Sequence, residues 1–129
     1  MSTITSTLKS FPDLLSLTPA QESEISKAET MLSLSFAPEY RQYLSEFGAA
    51  VVKSHELTGL LKSDRLNVVN VTKREREINP QVPHSMYVIE NAAIDSIIIW
   101  QDTNGEVYQS SPNSAPKLIA ASLVEYLTD

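Results

Sequence analysis

Apolar positions in this chain change their spacing from one segment to the next, and the spacing predicts alternating helices and strands. The densest run, Ile97-Ile98-Ile99-Trp100, lies inside the stretch from Ile94 to Ser110. No polar side chain interrupts it, so it reads as a strand buried on both faces. Asp102-Thr103-Asn104-Gly105 supplies a turn, with Asn104 and Gly105 both tolerant of positive φ. Glu106 to Gln109 alternates in polarity and returns as a half-exposed strand. Such a hairpin needs further strands or a covering helix to be stable, and the rest of the chain is expected to supply them.

From the start, Leu8, Phe11, Leu14, Leu15 and Leu17 have partly helical spacing broken by Pro12, which predicts a short helix or packed arm. Thr18-Pro19-Ala20-Gln21 has the form of a capping box with proline at the first helical position. The stripe Ile25, Ala28, Leu32 continues that helix. A second helix is expected from Pro38, since Tyr40, Tyr43, Leu44 and Phe47 share one face, and Gly48 directly after them reads as its left-handed cap. Ala49 to Val52 and His55 to Leu60 are short strand candidates. Asn67 can cap a helix from Val68 to about Glu77, although Val68, Val69, Val71 and Thr72 favour strand by propensity. Asn79-Pro80 and Val82-Pro83 mark a loop, and Met86 to Ile89 a strand. The segment from Ser110 to Pro116 is rich in turn residues, and a last helix is expected between Ala120 and Leu127.

The 129 residues and 42% hydrophobic content suit one domain with a real core. The absence of cysteine excludes disulfide frameworks, thiolate metal sites and thiol nucleophiles. It also fits a reducing cytoplasm. No basic head with an apolar run opens the chain, and no apolar run approaches the about 18 residues of a membrane span, so neither a signal peptide nor a membrane partner is expected. Net charge is −6, which argues against nucleic acid as a partner. The acidity is uneven. From Tyr87 onward six acids, among them Glu90, Asp95, Asp102 and Glu106, face the single base Lys117. That excess suits solubility, and also an acidic face for a basic partner.

Catalytic signals are sparse. His55 and His84 fit no metal-ligand spacing, and His55-Glu56 is the one adjacent pair with the makings of a base and its orienter. There is no nucleophile elbow and no phosphate loop, and three glycines are too few for a backbone cradle. Asp95, Asp102 and Glu106 flank the central hairpin but do not have calcium-loop spacing. The expectation is no enzyme, no cofactor and no metal. Trp100, Tyr108 and Tyr87 could form an aromatic contact surface; Tyr40 and Tyr43 read first as helix packing.

The order of parts resembles the SUKH superfamily, which includes the Smi/Knr regulators and bacterial toxin-immunity proteins. The segments that carry the likeness are Ile25 to Leu32 followed closely by Ala37 to Gly48, then His55 to Leu60, Asn67 to Thr72, Asp95 to Tyr108, and Leu123 to Leu127. The chain differs from common members in having Gly48-Ala49-Ala50 after the second helix, Glu90 to Asp95 in place of a glycine-rich acidic loop, and Phe36 where leucine is usual. The resemblance implies an α+β fold, a mixed and largely antiparallel sheet with flanking helices. Residues 1–17 would be an N-terminal arm or short helix packed on a SUKH-like domain of residues 18–129. It further implies a non-enzymatic binding protein, a cytoplasmic monomer or weak dimer that neutralises a cognate toxin domain, often a nuclease. The alternative is a regulatory or scaffold module of the Smi/Knr type. With the acidic half added, the candidate partner-binding residues are Glu90, Asp95, Trp100, Asp102, Glu106, Tyr108 and Tyr40.

Overall fold

A computed structural model describes residues 3–92, 96–112 and 114–128. The first helix, α1 (Ile4–Lys9), is capped by Thr3, whose side chain accepts from the Ser6 amide at 3.1 Å. Ile4 and Leu8 are buried from it. The chain then runs through Pro12 into β1 (Leu15–Ser16). Helix α2 (Glu22–Leu32) starts later than the Thr18-Pro19 signal predicts. Gln21 is its cap, and the Gln21 amide donates to Glu24 Oε1 at 2.9 Å. The physical reason is a competing set of bonds. The Leu17 amide donates to Ala49 O and the Ala20 amide to Leu44 O, which holds this segment extended along the end of the next helix.

That helix, α3 (Pro38–Phe47), has the boundaries its periodicity predicts and buries Tyr40, Tyr43, Leu44 and Phe47. Gly48 caps it at φ +72°. Strands β2 (Ala50–Val52) and β3 (His55–Glu56) form a hairpin whose two turn residues, Lys53 and Ser54, both have positive φ. With β1 they make a three-stranded antiparallel sheet in the order β1-β2-β3. Asn67 caps α4 (Val68–Ile78), accepting from the Val69 amide at 3.0 Å, so helix wins over the strand propensity of its valines.

Four strands complete the chain as an antiparallel meander: β4 (Tyr87–Asn91), β5 (Ile98–Gln101), β6 (Val107–Ser110) and β7 (Lys117–Ala120). They are followed by α5 (Leu123–Thr128). Sequence spacing misses β7. Its pairing with β6 delays the last helix to Leu123. Among the described residues the fold is therefore five helices with two antiparallel sheets, an α+β domain. The single sheet expected from the pattern is two, joined where Leu57 bridges Glu90 and the Thr58 amide donates to Ile89 O.

Alternation along the central strands divides the core. Tyr87, Ile89 and Ile99 pack with α2, α3 and α5, and Ile97 joins them half-buried. Val88, Ile98 and Trp100 face Val71 of α4 and Val82 and Met86. The β5–β6 turn is tight as predicted, but positive φ falls on Gly105 and not on Asn104.

Candidate protein-binding face

The acids and aromatics singled out in the sequence occupy three different environments. At the β5–β6 tip, Asp102 Oδ1 accepts from the amides of Asn104 and Glu106, each at 3.0 Å. The Tyr108 hydroxyl donates to Asp102 Oδ2 at 3.2 Å. Glu106 Oε1 lies 3.5 Å from the same hydroxyl. Burial and these two carboxylates push the Tyr108 hydroxyl above its ordinary pKa, so it stays a donor. Asp102, Glu106 and Tyr108 are all partly exposed and form one acidic knuckle. Thr103 Oγ1 donates to Ser35 O at 2.7 Å, which docks the tip on the α2–α3 loop.

Behind the tip lies a bracing network of which sequence reasoning marks only Tyr87, as part of an aromatic contact surface; here Tyr87 is fully buried. Tyr87 OH accepts from the Ala37 amide and donates to Gln101 Oε1 at 2.9 Å. Gln101 Nε2 donates to Gly105 O and to Glu39 Oε1. The Glu39 carboxylate also takes the Leu123 and Val124 amides, at 2.7 and 3.0 Å. A carboxylate at a helix N-terminus fills donors that the helix itself leaves open. These partners lie as far as 85 residues apart in sequence, so no local pattern marks them.

Glu90 is placed differently. It is 5% exposed, and both carboxylate oxygens face His55 Nδ1 at 2.8 and 3.1 Å. Tyr126 OH donates to Glu90 Oε1 at 2.5 Å, and burial, then the carboxylate, raise the Tyr126 pKa. Glu90 thus ties β3, β4 and α5 together and has almost no surface for a partner. His55 and Glu56 do not act as a pair, because alternation along β3 turns them apart: Glu56 meets Arg65 at 2.9 Å. That exposed contact holds the Glu56 carboxyl below its usual range.

Tyr40 and Trp100 are fully buried. Tyr40 packs with Phe36, Tyr43 and Tyr87 at centroid separations of 4.9 to 5.3 Å, and its hydroxyl shares a hydrogen bond with Thr58 Oγ1 at 2.8 Å. Trp100 Nε1 donates to Ser110 Oγ at 2.9 Å. Asp95 lies outside the described residues. Of the seven candidates, the structure brings Asp102, Glu106 and Tyr108 together at one surface. Among the described residues, no three His, Asp or Glu side chains are grouped to hold a metal ion. Among them, too, no helix is long and apolar enough to cross a membrane.

No curated protein matches the chain. One family model does, over residues 2–129: SUKH_5, described as SMI1-KNR4 cell-wall. With this match spanning the α+β domain just described, the chain belongs to the SUKH_5 family of SMI1-KNR4 proteins.

Proposed function

We propose that this chain is a non-enzymatic immunity protein, which binds a cognate toxin domain in the cytoplasm and blocks it as a stoichiometric complex. The observation that carries the reading is the family match across residues 2–129. The acidic knuckle supports it, because a nuclease toxin must be basic to hold its substrate, and opposite charge steers encounter. Asp102 and Glu106 are placed on a short turn that rigid strands present, where contact residues tend to sit. The family description SMI1-KNR4 favours a second reading, a regulatory or scaffold module.

Co-expression separates the two. An immunity protein restores growth to cells making one toxin domain and co-purifies with it one to one. A regulatory module rescues no toxin in a panel of such domains. The acidic knuckle is tested in the same complex by Asp102→Asn with Glu106→Lys. Asparagine keeps the acceptor that the turn amides need, so the fold is spared while the charge is lost. Association should slow and its salt dependence flatten. Unchanged rates at low and high salt would remove the knuckle from the interface.

A further inference from the structure

A cavity of about 450 Å³ opens between the C-terminal end of α4 and strands β4 to β6. Glu75 is the ionisable side chain in its described lining, and that side chain is only 10% exposed. A buried carboxylate normally has a full set of partners, since an uncompensated charge out of water is costly. Glu75 does not. Arg74 Nε stands 3.4 Å from Oε2, at the limit of a hydrogen bond, and the Arg74 side chain is itself 47% exposed. Among the described residues no hydrogen bond reaches Glu75 Oε1. The remaining described wall is mixed: Ile78, Ile98, Trp100 and Pro112 stand with the uncharged polar residues Asn79, Asn91, Ser96, Ser110 and Ser111.

One carboxylate is too few ligands for a hard metal ion. A single acid in a wall of apolar and uncharged polar side chains matches an organic cation that has several donors and an apolar stem. We propose that this cavity receives the guanidinium of an arginine side chain, with Glu75 as its counter-ion. Guanidinium is flat, weakly hydrated and a fork of donors, so it tolerates an apolar wall better than ammonium does. Ile78, 60% exposed at the rim, lies where the arginine methylenes would pass. The inference rests on the reading of a basic protein partner and names the side chain by which such a partner would anchor.

The test needs no toxin. Trp100 is the single tryptophan and underlies the cavity, so its emission reports occupancy. Argininamide is titrated into the intact chain, with citrullinamide, its uncharged isostere, at matched ionic strength. Argininamide should give a saturable change that citrullinamide does not, and Glu75→Gln should weaken it roughly tenfold or more. Ile78→Lys changes an exposed position, threatens the fold little, and should weaken it as well by placing an ammonium at the mouth. Equal responses to the two amides, a response that never saturates, or full binding by Ile78→Lys would each overturn the proposal. If Glu75→Gln does not fold, the contrast between the two amides in the unaltered chain still decides. A chain that protects cells from its toxin yet ignores argininamide overturns this inference and leaves the immunity reading standing.

Discussion

Gly48 occupies a place where no side chain fits. Its φ of +72° is in the left-handed region, and a Cβ there would stand 2.0 Å from Thr18 O. Gly48→Ala should therefore cost about 1 kcal/mol or more from conformation alone, with the clash added, measured by denaturant unfolding. This glycine was legible, because a helical stripe ending at Phe47 predicts a left-handed cap next. Glu90 was not. In the sequence it resembles a surface acid beside a turn, and only the fold brings up His55 and Tyr126, 35 and 36 residues away. Glu90→Ala should lower stability by roughly 1–3 kcal/mol while leaving a folded chain's partner affinity unchanged. A loss of affinity at full stability would return Glu90 to the interface.

At the scale of elements, apolar period settles what has a period long enough to read. Helix α3 and the β5–β6 hairpin follow from it directly, whereas α4 is marked by its Asn67 cap against the strand propensity of its valines. Strand β5 also has the expected split, with Ile99 on one core and Ile98 on the other. Truncating either to Ala should cost roughly 2–5 kcal/mol in equilibrium unfolding. Ile97 is half-buried, so the same change there should cost less. An equal cost at Ile97 would mean that it is as enclosed as its neighbours. Strand β7 escaped because Lys117-Leu118-Ile119-Ala120 has no strict alternation and leads straight into a helical stripe. The start of α2 escaped for another reason. Thr18 to Ala20 has a good local cap signal, and tertiary bonds to Leu44 and Ala49 override it.

Over the whole molecule, the two sheets were not separable by sequence, since the junction is one bridge between Leu57 and Glu90. The aromatic core beside that junction sets the alkaline limit of the fold. Burial is the main cause that pushes the Tyr40, Tyr43 and Tyr87 hydroxyls above their ordinary value of 10.0. The folded chain thus keeps protons that the unfolded chain releases above about pH 10. Their contribution to stability is complete below that pH and declines as pH rises beyond it. Tyrosinate absorbance and loss of circular dichroism should rise together in an alkaline titration. Absorbance from all five tyrosines appearing before any loss of structure would contradict this burial.

Glu39 gives the opening turn of α5 a property that a six-residue helix lacks by itself. Amide hydrogens in a first helical turn usually exchange with solvent through local fraying. Those of Leu123 and Val124 end on a carboxylate carried by α3, more than 80 residues earlier. They can be released only when α3 and α5 separate. In native-state hydrogen exchange these two amides should therefore open with the same free energy as those of the central strands, and Glu39→Gln should return them to the rate of a frayed end. A position at the margin of the fold becomes a gauge of its global opening.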